Sequence, residues 1–370
     1  MLRKLRGYSL IVEISLFPWI NASDSLRNIF YAFFLLNLLF DFINLNFEKF
    51  RFTKIDSLIV ASCLLFFFHP SSYISDMSFD VYIFKLGLFV IRYILVDVKL
   101  ISENPFFFTL MVIISSIASL YGWQLGLGDP VRLNYPYGDS NYQSFIFGTY
   151  FFILLIFLSI IKSKKIKFFI IIAMILSFII LLFGASRGSF IAFAITFIFY
   201  LYKKLNFKKL VVLLSVTTLI SIFSFIPNFL SESPILVIDR FINPIESDIG
   251  ASDSRISEIK VAFKNMYAEP FIFLFGSGFS STNEQNYILK NKDLTISRIH
   301  NTPIAILYDS GILGLILFIL LVTSMYLDNI NRDTMFLFIF IIINSLTFFI
   351  YFYHLFICVR IISWRRNFIL

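Results

Sequence analysis

Long apolar runs follow one another along this chain, and each is closed by a short cluster of charged or polar residues. A helix needs about 20 apolar residues to cross a hydrocarbon layer ~30 Å thick. Runs of that order lie near 7–20, 28–45, 55–69, 79–98, 105–123, 142–161, 168–184, 188–202, 209–227, 301–326, 334–348 and 350–363. A membrane barrel would alternate apolar and polar positions instead. The pattern therefore predicts an all-α polytopic membrane protein of about twelve spans. Residues 1–227 would hold about nine of these helices, with a polar loop at 124–141; residues 228–300 form one large extramembrane loop, and 301–370 return to the membrane.

Composition agrees with the pattern. Of the 370 residues 58% are hydrophobic and 15% charged, and the mean hydropathy is +0.84, more apolar surface than one soluble core can hide. The formal charge of +8 does not mark a nucleic-acid binder, because the basic residues are dispersed at the ends of the spans. The clusters "MLRKLR" (1–6), "FEKFRFTK" (47–54), "KSKKIK" (162–167), "KKLNFKK" (203–209) and "SWRR" (363–366) share one side if the helices alternate. The positive-inside rule makes that side cytoplasmic, with both termini. The loops at 21–27, 70–78, 124–141, 185–187 and 228–300 then face outward. Cys63 and Cys358 both lie in apolar spans, so a disulfide framework and a CxxC metal site are excluded. The first apolar run lacks a small-residue cleavage site, so no cleavable signal peptide is expected. The 50 phenylalanines are read as compositional bias.

The outward loops carry the candidate chemistry. In "GLGDPVRLNYPYGDSNYQSF" (126–145), turn-forming residues surround Arg132, Asp139 and Asn141. Two readings are open: a solvated loop, or a polar ligand met at the membrane surface. Tyr135, Tyr137 and Tyr142 fit either a carbohydrate-stacking surface or an interfacial aromatic belt. In "LLFGASRGSFIAF" (181–193), Arg187 stands at the tip of a tight helical hairpin that needs no arginine. A charge at membrane depth by default marks a ligand pathway or an ion pair, and a guanidinium suits bidentate phosphate binding.

The stretch "SDSRISEIKVAFKNM" (252–266) predicts an amphipathic helix near 252–268, capped by Ser252 or Ser254, with Ile256, Ile259 and Phe263 as the stripe that faces the bilayer. Arg255 falls in its first turn, where the helix dipole opposes a cation and an anionic partner would explain it. Gly276 and Gly278 in "FGSGF" predict a turn returning the chain to the membrane. In "SRIHNTPIAILYDSGILGLILFIL" (297–320), Arg298, His300 and Asn301 stand at the mouth of a span. A histidine's ordinary pKa suits proton transfer at neutral pH, and no ligand set at zinc spacing accompanies it. Lys85 and Arg92, seven residues apart, share one helical stripe; they pair with acids such as Asp41 or Asp97, or contact a lipid-linked phosphate.

Taken together, "FGASRGSF", "SDSRISEIKVAF" with "FGSGF", and "HNTPIAILYDSGILGLILF" resemble the O-antigen polymerase and O-antigen ligase superfamily of bacterial surface-polysaccharide enzymes, over about Arg132 to Leu320. The sequence differs from the family pattern at Ile259, where an aromatic residue is common, and in "YGDSN", which stands for Asp-Pro-Asn. The resemblance implies a GT-C-like glycosyltransferase of the bacterial inner membrane, with its active site facing the periplasm. Its donor would be an undecaprenyl-diphosphate-linked oligosaccharide, with no cofactor and no catalytic metal. Arg187 and Arg255 would bind the diphosphate, His300 would serve the acceptor hydroxyl, and Asn301 would hold local geometry. Arg132, Asn141, Arg298, Lys85 and Arg92 complete the expected substrate contacts. A chain-length regulator and a flippase are the protein partners implied; nucleic acid is not.

Polymerisation of O-antigen or capsule repeat units is the leading expectation, because the chain is compact and apolar and no acidic residue directly follows His-Asn. Ligation of the finished glycan to a lipid A core is the alternative within the family. A transporter of lipid-linked oligosaccharides is the alternative from another class, and inverted repeats, its usual mark, are not evident.

Overall fold

The computed structural model describes residues 2–19, 22–43, 54–67, 91, 95–97, 99–127, 133–184, 186–204, 258–276, 301–329 and 334–347. Among them the chain is helical and carries no strand. The helices are α1 (Leu2–Leu16), α2 (Asp24–Ile43), α3 (Lys54–Phe67), α4 (Lys99–Glu103), α5 (Pro105–Gln124), α6 (Ser140–Ile160), α7 (Lys164–Phe183), α8 (Arg187–Lys204), α9 (described over 258–268), α10 (Pro270–Phe275), α11 (Thr302–Asn329) and α12 (Thr334–Thr347). Five of them, α2, α5, α6, α7 and α11, are long and apolar enough to cross a membrane, and α12 is a shorter apolar helix. The expected spans near 79–98, 209–227 and 350–363 fall outside the described residues apart from Ile91 and 95–97; the others coincide with helices.

The centre of the bundle is α6. Its first turn is fixed by Asp139, whose carboxylate accepts from the backbone N–H groups of Asn141 (2.8 Å) and Tyr142 (3.4 Å), an N-cap that satisfies donors the helix leaves open. Nearly every residue from there to Phe157 is buried, since α5, α7, α8 and α12 pack around it. The abundant phenylalanines do part of this packing. The Phe340 ring of α12 lies over Gly148, in the space a side chain there would need, and meets Phe145 at 6.0 Å and Phe152 at 5.1 Å. Phe193 of α8 meets Phe151 at 4.8 Å. Close helix packing of this kind holds apolar helices together where lipid supplies no hydrophobic contrast.

The polar contacts of the bundle gather at two ends. At one end the start of α1 is tied to the end of α4 by Arg3, which donates to Glu103 at 2.8 and 2.7 Å, and to the end of α2 by Arg6, 2.8 Å from Asp41. Asp97 lies 3.8 Å from Arg3, so both acids expected as partners for Lys85 or Arg92 already meet arginines of α1. Lys164 opens α7 at this same end, and Lys203 and Lys204 close α8 there. The opposite end gathers the starts of α6, α8 and α11 and the finish of α12.

Candidate functional site

Three helix starts meet at the end opposite the lysines. Arg187 opens α8 and is half-buried. One half-turn on, the Ser189 hydroxyl donates to Asn344 Oδ1 of α12 at 2.8 Å and lies 3.4 Å from the carbonyl oxygen of Asn141 in the first turn of α6. Ser186, just before the helix, accepts from the Ser189 N–H at 3.3 Å and so closes its first turn. Two residues past Asn344, the Leu346 carbonyl accepts from Asn301 Nδ2 at 3.0 Å. Asn301 in turn caps α11, its Oδ1 accepting from the Ile304 N–H at 3.1 Å. Through the last turn of α12, these polar contacts tie together Asn141, the first turn behind Arg187, and Asn301.

The placement has an electrostatic sense. The N-termini of α6, α8 and α11 put the positive ends of their dipoles at the same end of the bundle. A cation at the first position of a helix is opposed by that dipole, and an anion beside Arg187 would offset both. Among the described residues, no group of three or more His, Cys, Asp and Glu could hold a metal ion.

Next to this end, α11 is not one continuous helix. Gly311 has φ 67° and ψ −167°, which separates a short half carrying Asn301 at its mouth from the longer apolar half. The short half is gripped by the segment 258–276. Ala262 and Met266 of α9 pack with Ala305, Leu307 and Tyr308 of α11, and Asn265 Nδ2 donates to the Tyr308 hydroxyl at 3.2 Å. Gly276 ends α10 with φ 85°, its N–H donating to Ile272 O at 2.8 Å, and its α-carbon lies against the backbone of Asp309 and Ser310. The turn expected at "FGSGF" is thus, at Gly276, a glycine C-cap pressed onto a neighbouring backbone; Gly278 lies outside the described residues.

One sequence expectation changes here, that for Tyr137 and Tyr142. The face of α9 that packs on the protein holds Glu258, Ala262 and Met266, while Phe263 of the expected apolar stripe is 48% exposed and Tyr267 is 91% exposed. Small and flexible side chains allow the close approach to α11, and Phe263 is left facing out. In the loop before α6, Tyr137 and Tyr142 form neither a stacking surface nor an interfacial belt, since both are buried, 4.3 Å apart, against Phe17. Their segment is pinned to the bundle by the Leu133 N–H donating to Phe183 O at 3.0 Å and by Gln143 Nε2 donating to Tyr135 O at 3.0 Å. Tyr135 is half-buried and meets Trp19 edge-on at 5.6 Å.

Of the residues expected in the site, Arg187, Asn141 and Asn301 are brought to one end of the bundle. Arg132, Arg255, Arg298, His300, Lys85 and Arg92 lie outside the described residues. In the chain, Arg255 is three positions before Glu258 of α9, and His300 immediately precedes Asn301. Ser189 and Asn344 were missed. The available signal was a lone amide in the apolar run "FIFIIINSLTFF", because an amide in a span needs a partner.

Residues 172–319 match the family model described as O-antigen ligase. This stretch, from 172 to 319, is similar to the O-antigen ligase family. The matched region runs from within α7 to within α11 and contains Arg187, Arg255, Arg298, His300 and Asn301. It begins downstream of Arg132 and Asn141, so the family match covers less of the chain than the motif resemblance does. No curated protein matches the chain. Members of that family are membrane glycosyltransferases and ligases, and the match together with the apolar helices supports a multi-pass membrane protein.

Proposed function

We propose that the protein is an O-antigen or capsule repeat-unit polymerase, a glycosyltransferase that joins undecaprenyl-diphosphate-linked oligosaccharides at the periplasmic face of the inner membrane. The observation that carries this reading is the meeting of Arg187, Asn141 and Asn301 at three helix starts, at the end of the bundle opposite its lysines. By the positive-inside rule that end is periplasmic, where lipid-linked repeat units are joined. Arg187 and Arg255 would hold the diphosphate of the growing chain, their forked guanidinium groups matching its oxygens.

A sugar hydroxyl of the incoming lipid-linked unit would then attack the anomeric carbon. The new C–O bond forms as the bond to the diphosphate breaks; undecaprenyl diphosphate leaves with the electron pair, and His300 takes the hydroxyl proton. Asn301, as cap of the short half of α11, would fix the backbone immediately behind that histidine. Asn141, at the edge of the same end, supplies an amide for the sugar or phosphate.

The test is the lipopolysaccharide of a deletion strain. A core bearing one repeat unit is expected. A core bearing no repeat units would mean a ligase, and an undisturbed ladder would mean that the protein does neither.

A further inference from the structure

We propose that Asn344 is a positioning residue of the transfer site, the strut that sets the start of α8, and with it Arg187, against α6 and α12. The inference rests on the glycan-transfer reading above. Asn344 is fully buried in the last turns of an apolar helix. Its Nδ2 is used by its own helix, donating to Phe340 O at 2.8 Å, which leaves Oδ1 turned to the neighbouring helix. There it accepts the Ser189 hydroxyl at 2.8 Å. A hydroxyl has one proton, so the longer 3.4 Å contact to the Asn141 carbonyl is the weaker of the two.

An amide within a span costs free energy unless it is fully satisfied, and packing alone is served better by an apolar residue. This amide is satisfied, and its partner stands two positions from Arg187. The same turn of α12 presents the Leu346 carbonyl to Asn301. One rigid turn therefore sets the spacing between the helix that bears the phosphate-binding arginine and the helix that begins behind His300. Without the strut, apolar side chains alone would define the rotation of α8 about its axis, and that rotation decides where a guanidinium at the first position points.

The experiment measures binding of undecaprenyl diphosphate to the full-length protein purified in detergent, for wild type, Ser189→Ala, Asn344→Leu, Arg187→Lys and the doubles Ser189→Ala/Asn344→Leu and Arg187→Lys/Asn344→Leu. Loss of the strut is expected to weaken binding about tenfold in either single variant. The strut double should bind no more weakly than the worse single, and Asn344→Leu should add nothing in the Arg187→Lys background. Unchanged binding in Ser189→Ala, the milder variant and the one that decides if Asn344→Leu does not fold, overturns the strut. So does a loss from Asn344→Leu that is as large in the Arg187→Lys background as in the wild-type one. Failure of the wild-type protein to bind undecaprenyl diphosphate overturns the underlying glycan-transfer reading instead, with no variant involved.

Discussion

Gly276 and Asp309 meet backbone to backbone: a side chain on the glycine would occupy the space of the Asp309 carbonyl. The contact is reciprocal, since a side chain on Gly311 would strike the backbone of Leu274 and Phe275. Segment 258–276 and the short half of α11 thus lock through two glycines with positive φ, at an approach that leaves no room for a Cβ on either.

Gly276→Ala and Gly311→Ala should each lower the thermal stability of the detergent-purified protein. Both glycines combine positive φ with ψ near 180°, a region essentially confined to glycine that costs an alanine about 1–3 kcal/mol, and the collision adds to it. Gly126, at φ 77° with nothing within 4 Å, is the control, because its alanine variant bears only the backbone cost. Equal melting temperatures for Gly126→Ala and Gly276→Ala would show that the contact with Asp309 adds nothing.

The Arg6–Asp41 pair, with side chains 13% and 6% exposed, predicts a sign pattern. Removing one partner of such a pair costs up to roughly 3–5 kcal/mol, whereas replacing both with apolar residues is often neutral. Arg6→Leu and Asp41→Leu should therefore each reduce folded protein in membranes more than the double variant does. A double variant worse than both singles would contradict this.

Topology follows from the same two ends. A periplasmic reporter fused at residue 270 should be active and one fused at residue 163 silent, because the lysine-rich end is retained in the cytoplasm. The reverse pattern would place Arg187 on the wrong side of the membrane for the proposed reaction.

His300→Gln separates catalysis from capping. Glutamine hydrogen-bonds but accepts no proton at neutral pH, so transfer between purified lipid-linked repeat units should fall on the order of 10²–10⁴-fold. The cap of α11 belongs to Asn301, whose Oδ1 accepts from Ile304, so the helix itself should survive the change. A near-normal rate for His300→Gln would remove the general base from the proposal.

Hydropathy and charge, read along the chain, determined the long apolar helices and the helix near 252–268, though not the short α4 and α10, together with the opposed ends of the bundle and the place of Arg187 at a helix start. Each of these depends on one helix at a time, on its length against a bilayer and on the sign of its flanks. The tertiary structure decided which faces meet. It buried Tyr137 and Tyr142, turned Phe263 and Tyr267 outward, broke α11 at Gly311, and joined Ser189 to Asn344. In an apolar span every face is nearly equal in hydropathy, so the pattern leaves the rotation of each helix open. That rotation is fixed by close contacts between small residues and by the few polar groups that must find partners, and those partners lie far away in the sequence.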